Sequence, residues 1–199
     1  MSRLILIRHC EPEKGARGRI YGTLDVGLSA RGRLQAEALV DRLDGVDVDA
    51  IWTSPRRRAR ETSAPLAAAR ALRPSADDDL RELDFGELEG RTFDEVAAAL
   101  PELYKAWMET PTEVRFPGGE CYADLKARSV TALERAAAAS ESAVVVTHGG
   151  VVRAALAEWL RIDDAAVFRL DQRYGGITVV DLIDGYPLVR LVNGQTAFD

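Results

Sequence analysis

Two short apolar runs, each ending in histidine, constrain this chain more than any other feature. The first is Leu4-Ile5-Leu6-Ile7, followed at once by Arg8-His9-Cys10. The second is Ala143-Val144-Val145-Val146, followed by Thr147-His148-Gly149-Gly150. An uninterrupted run of this length suits a strand covered on both faces, as in a parallel sheet flanked by helices. In such sheets ligands bind beyond the carboxyl ends of strands. His9 and His148 are the only 2 histidines in the chain, and both stand at such an end.

A third run, Ala50-Ile51-Trp52-Thr53, leads into Ser54-Pro55 and then into Arg56, Arg57, Arg58 and Arg60. Ser54 and Pro55 read as N-cap and first-turn proline of a helix reaching about Ala69, with Ala59, Thr62 and Leu66 facing the core. Cations are unfavourable at a helix N-terminus, because the macrodipole is positive there. A bound anion would reverse that penalty, and Arg58 lies one turn in, where it would meet one. If the three strands are parallel neighbours, their ends bring His9, His148, Arg8 and Arg58 around one point. That constellation suits a dianion, and phosphate above all. A neutral imidazole beside fixed positive charge is also a competent nucleophile toward phosphorus, since the charge disfavours imidazolium.

The rest of the chain alternates strands and helices. Ser29 caps a helix to about Leu43, with Leu34, Ala38 and Leu39 as its apolar face. A short edge strand is expected around Leu72. Thr92-Phe93-Asp94-Glu95 has capping-box spacing and opens a helix to Leu100, followed by another from Glu102 to Met108. A long Ala-rich helix spans about Tyr122 to Ala139, and a helix from about Val151 to Leu160 follows His148. A hairpin closes the chain, with strands Ile177 to Ile183 and Leu188 to Val192 turned at Asp184-Gly185. The expected fold is a single three-layer α/β/α domain over residues 1–199, with a mostly parallel central sheet and helices on both faces.

Composition removes several functions. The net charge is -6, so the surface as a whole does not attract nucleic acid, and an anion site must come from local arginine clustering. No apolar stretch is long enough to span a membrane, and the start of the chain lacks a signal peptide. The 2 cysteines, Cys10 and Cys121, have no metal-ligand spacing. They read as free thiols of a cytoplasmic protein.

Six segments in order resemble the histidine phosphatase superfamily, which includes cofactor-dependent phosphoglycerate mutases and many small phosphatases. They are Arg8-His9-Cys10; Gly18-Arg19-Ile20-Tyr21-Gly22 with Asp25-Val26-Gly27-Leu28-Ser29; Ser54 to Thr62; Leu80 to Gly90; Pro117-Gly118-Gly119-Glu120; and Thr147-His148-Gly149-Gly150. The resemblance implies a phosphoglycerate mutase-like fold and a role for each matching residue. His9 would take the phosphoryl group as phosphohistidine. Arg8, Arg58 and His148, with Gly149, would hold its oxygens, and Tyr21 and Gly22 would bound the substrate site. Glu82 would protonate the leaving oxygen and then activate water. No metal or other cofactor is implied, because arginine supplies the positive charge.

Three positions depart from the pattern. Cys10 stands where glycine is usual, Gly15 where many members have asparagine, and Cys121 where serine or threonine is common. The segment between Glu82 and Pro117 is short compared with the mutases, which favours hydrolysis. The expected activity is metal-independent hydrolysis of a small phosphorylated metabolite of the α-ribazole phosphate, sugar phosphate or nucleotide type. The alternatives are a cofactor-dependent phosphoglycerate mutase and a non-catalytic phospho-ligand binder. Arg17, Arg19, Tyr21, Arg115 and Tyr122 are candidates to line the mouth. No nucleic-acid or membrane partner is expected, and the chain is expected to be a monomer or homodimer.

Overall fold

The structure is a computed structural model that describes residues 1–16 and 18–195. Its central strand, β1 (Ser2–Arg8), sends alternate side chains into two cores. Leu4 and Leu6 pack with Ala143 and Val145 of β4 (Ser142–Thr147) against α5 (Tyr122–Ala138) and α6 (Gly149–Leu160). Ile5 and Ile7 pack with Val144 and Val146 against α1 (Ala30–Arg42) and α2 (Arg57–Arg70). The four β1 side chains are fully buried, worth about 1.5–3 kcal/mol each. This is why the run carries no polar alternation.

The sheet has six strands in the order β3-β2-β4-β1-β5-β6, with β2 at Ala50–Thr53, β3 at Ser75–Ala76, β5 at Ile177–Ile183 and β6 at Tyr186–Gly194. The β3–β2, β2–β4 and β4–β1 pairings are parallel, and the β1–β5 and β5–β6 pairings are antiparallel. The fold is therefore three-layered α/β/α around a mostly parallel sheet. Asp184 and Gly185 turn the β5–β6 hairpin, both with positive φ (51° and 80°), as a right-twisted two-residue turn requires. Asp181, buried on β5, pairs with Arg3 at 2.7 Å and with Arg190 at 2.9 Å, tying β1, β5 and β6 together.

A separate small core sits at the carboxyl ends of the parallel strands. Ile20, Leu88, Val96, Val114 and Phe116 bury one another there, with Phe85 and Trp107 packed on them. It is built on α3 (Phe93–Ala99) and α4 (Pro101–Glu109). Thr92 and Glu95 cap α3 reciprocally, as their spacing predicts.

Several sequence expectations shift. Helix α2 begins at Arg57, not at Ser54-Pro55, and the Ser54 hydroxyl accepts from Arg56 N at 3.3 Å in the turn before it. Its first N–H, from Arg57, instead donates to Asp25 Oδ1 at 2.7 Å. Helix α1 is rotated relative to its expected face. Leu34 is 65% exposed, while Gly32, Ala36 and Leu39 are buried. Gly32 sets that rotation, because a Cβ there would come within 2.0 Å of the Glu11 carbonyl oxygen. The edge strand lies at Ser75–Ala76, past Leu72, and α6 begins at Gly149, before Val151. Leu6→Ala would open a cavity beneath α5 and α6. We expect it to lower the unfolding free energy by about 2–5 kcal/mol, read as a lower urea midpoint at unchanged m-value.

Candidate active site

Strand register brings the site together. Arg8 is paired with Thr147 across β1 and β4, and Thr53 with Val146 across β2 and β4. The next residues leave the sheet side by side: His9 N donates to Thr147 O at 2.8 Å, and Ser54 N to Val146 O at 2.9 Å. The ring centroids of His9 and His148 are 5.2 Å apart. The convergence expected from three strand ends is therefore present, and Arg58 on α2 joins it.

The hydrogen bonds fix both imidazole tautomers. His9 Nδ1 lies 2.8 Å from Cys10 O. A carbonyl only accepts, so Nδ1 carries the proton and Nε2 keeps its lone pair. His148 Nδ1 accepts from Arg58 Nε at 3.3 Å, so Nε2 carries the proton and donates to Ser54 Oγ at 2.8 Å. Both rings are buried. Burial holds each well below the usual histidine value, and the nearby Arg58 and Arg8 charges add to this. Both are neutral at pH 7.

Arg58 is 0% exposed. Its guanidinium donates to Leu24 O and Gly22 O, each at 2.8 Å, and to His148. Gly22 in turn gives its N–H to Glu89 at 2.9 Å, and a Cβ on Gly22 would lie 1.8 Å from Leu83 O. Arg8 donates through Nη1 to Gln172 O. Its Nε is buried and finds no acceptor among the described residues. The Arg8 guanidinium lies 4.1 Å from the centre of the Tyr174 ring, a cation–π contact. The Tyr174 hydroxyl is 3.0 Å from that of Tyr21, and the two rings flank His9 at 5.6 Å and 6.4 Å. Glu82 accepts from Leu83 N at 2.9 Å and from Gly150 N, in the first turn of α6, at 3.1 Å. A Cβ on Gly150 would come within 2.2 Å of the Glu82 carboxylate, so glycine there makes room for it.

A cavity of about 330 Å³ is lined by Arg8, His9, Tyr21, Arg58 and Glu82, together with Arg19, Ile20, Phe85, Phe93, Trp107 and Arg153. A larger groove of about 1280 Å³ lies at the other end of β1, past Tyr186 and Trp159, and contains none of these groups. His148, Gly149 and Gly22 stand behind the cavity surface. Gly149 is the first residue of α6, packed beside Arg8 Nε. Arg115 faces away, paired with Asp124 at 2.8 Å. Tyr122 is buried in the core under α6, and Arg17 lies outside the described residues. The Cys10 thiol packs into the α1–α2 core, where burial pushes it up to about 11, so it is a protonated core group. Both cysteines are free.

Sequence reasoning missed Tyr174, Arg153 and the aromatic lining. Arg153 falls four residues after Gly149, one helical turn into α6 and on the same face as its first residue, a spacing the sequence does display. Tyr174 sits in an irregular segment and leaves no such trace.

These features define a phosphatase-type α/β enzyme, with basic and imidazole groups gathered at strand ends. The chain belongs to the histidine phosphatase superfamily (branch 1), which matches residues 4–195. It is 36% identical over 165 residues to phosphoserine phosphatase 1 of Hydrogenobacter thermophilus, covering 82% of this chain and 78% of that protein. It is 36% identical over 172 residues to a metal-independent phosphoserine phosphatase of Arabidopsis thaliana, covering 83% of this chain and 71% of that one. The structure superposes on the α-ribazole phosphatase of Shigella flexneri with a TM-score of 0.88 at 25% identity, over 98% of this chain and 97% of that one. No helix among the described residues is long and apolar enough to cross a membrane.

The two depressed histidines have a consequence for stability. The unfolded chain takes up protons at both rings near the ordinary value of 6.5, and the folded chain does not. The unfolded state then binds more protons, so stability falls as pH falls through that region. The slope is up to about 1.4 kcal/mol per pH unit for each ring. Urea midpoints measured at intervals below about pH 7 check this. We expect His148→Asn to remove about half of the slope.

Proposed function

We propose that the protein is a metal-independent phosphomonoester hydrolase acting through a phosphohistidine on a small phosphorylated metabolite, of the α-ribazole phosphate, sugar phosphate or nucleotide type. The observation that carries this reading is the bare Nε2 of His9 in a cavity whose arginine, Arg8, has a buried donor without an acceptor. A phosphoryl oxygen is the acceptor that Arg8 Nε lacks. Arg58 and the start of α6 add positive potential at the same point.

The steps follow from the groups present. His9 Nε2 attacks phosphorus in line with the ester oxygen, and the P–O bond breaks as the P–N bond forms. Protonated Glu82 gives its proton to the departing alkoxide. The resulting carboxylate then takes a proton from water, whose oxygen attacks the phosphohistidine, returning His9 and releasing phosphate. Arg8 and Arg58 stabilise the charge on the three phosphoryl oxygens throughout, and the His148 Nε2–H joins them by exchanging Ser54 Oγ for a phosphoryl oxygen. Gly22 acts by holding Arg58, and Tyr21 walls the cavity. The guanidinium groups supply the charge a metal would otherwise bring, and a relative from Arabidopsis thaliana is named for its metal independence.

Hydrolysis of phosphomonoesters in the presence of a chelator tests the reading. We expect His9→Ala to abolish turnover and Glu82→Gln to lower it by about 10²–10⁴-fold. Glu82→Gln should also accumulate acid-labile protein-bound phosphate when given an ester with a good leaving group. A wild-type protein inert toward every monoester would sink the proposal, and net transfer between phosphoglycerate isomers would replace it with a mutase. Tyr174→Leu removes the ring beneath Arg8, and we expect it to weaken inhibition by inorganic phosphate by about 3- to 30-fold. Tyr174→Phe keeps the ring and should change that constant less.

A further inference from the structure

The cavity has two chemically different ends. At the inner end are Arg8, His9, Arg58 and Glu82. Phe85, Phe93 and Trp107, whose rings contact one another, form a wall in the rest of the lining, with Ile20, Arg19 and Arg153, while Tyr21 stands beside His9. We propose that the substrate's alcohol carries a planar aromatic ring, seated against Phe85, Phe93 and Trp107. This rests on the hydrolase reading above and narrows it.

The wall is built to be rigid. The Phe93 and Trp107 rings are stacked, 5.3 Å apart with 26° between their planes. Phe85 meets Trp107 at 5.6 Å. Behind them, Phe116 is buried and sits edge-on to both, 5.0 Å from Phe85 and 5.1 Å from Trp107. Phe93 is the first residue of α3, inside the Thr92–Glu95 capping box, and that cap fixes its backbone. Yet Phe93 remains 40% exposed. A rigid, partly uncovered aromatic face continuous with the reactive cavity suits a ring that completes the stack.

The other lining groups disfavour the competing classes. A sugar presents many hydroxyls and needs side-chain acceptors, but among the described residues Asn, Gln, Asp, Ser and Thr are absent from the lining. The Tyr21 hydroxyl is already paired with Tyr174. An amino-acid ester brings an ammonium group, and the cavity lines it with Arg8, Arg19, Arg58 and Arg153 against the single carboxylate of Glu82. That carboxylate is held at the inner end by two backbone N–H groups. A neutral planar ring meets neither difficulty.

The test compares benzyl phosphate, cyclohexylmethyl phosphate and O-phosphoserine. All three are primary alkyl esters, so leaving-group basicity differs little among them, and the first two differ mainly in aromaticity. We expect kcat/KM for benzyl phosphate to exceed that for each of the others by about tenfold, the order expected of one aromatic stack. Phe93→Ala and Trp107→Leu should each reduce that preference to about threefold or less. Inhibition by vanadate, which needs only the inner end, reports that each variant is folded. Phosphoserine or the cyclohexyl ester turned over as fast as benzyl phosphate overturns the inference while leaving the hydrolase intact. A preference that survives in both folded variants overturns it as well. Failure of the wild type to hydrolyse any of the three, or any other monoester, overturns the hydrolase reading itself.

Discussion

The burial of one guanidinium, that of Arg58, is the constraint on which the rest of the site depends. A cation taken wholly out of water is costly unless its donors are satisfied. Arg58 meets that need with two backbone carbonyls and an imidazole nitrogen, not with a carboxylate. The choice matters chemically. A carboxylate partner would cancel the charge, whereas carbonyl dipoles satisfy the donors and leave the positive field in place. Burial keeps His9 and His148 neutral, and the same field adds to it. Fixed charge and unprotonated imidazole are thus two results of one packing decision.

Supplying those carbonyls shapes a distant part of the chain. The loop before α1 must bring Gly22 O and Leu24 O to the start of α2. It is clamped from its other side by Glu89, which accepts the N–H groups of Gly22 and Thr23 at 2.8–2.9 Å. The close approach of Gly22 to Leu83 leaves no space for a side chain. Glu89 and Glu82 belong to the same irregular segment, so one stretch of chain positions both the loop behind Arg58 and the carboxylate in the cavity. A segment with so little regular structure is held by side-chain and backbone hydrogen bonds instead of by a helix or sheet ladder.

The sequence showed some of this and concealed the rest, for physical reasons. Strand ends were legible because an apolar run that stops abruptly at Arg8-His9 or Thr147-His148 marks both the core and its edge. The parallel pairing of β1, β4 and β2 followed from βα alternation. The buried face of α1 was not legible: Leu34 looks like a core residue, and the close contact of Gly32 with Glu11 that turns it outward depends on tertiary structure. Ser54 looked like a helix cap, but its hydroxyl holds the turn before α2 through Arg56 N and also meets a histidine 94 residues away. The wall of Phe85, Phe93 and Trp107 meets the site only after α3 and α4 fold over the strand ends, and Tyr174 reaches it from the turn before β5. Glu82 was picked out by the motif around it and not by any property of its own.

The strand order carries one more consequence, which concerns synthesis. Within this sheet β1 is made before the other strands, yet its two neighbours, β4 and β5, come fourth and fifth of the six. Leu6 pairs with Val145 on one side and with Thr178 on the other. Until those residues leave the ribosome, a strand with four fully buried apolar side chains has both edges open, a state that invites pairing with other chains. Contacts of such long sequence separation also form slowly. This strand is therefore an early product that must wait for β4 and β5. A nascent chain stalled before β4 would present to chaperones the same four residues that later anchor the core.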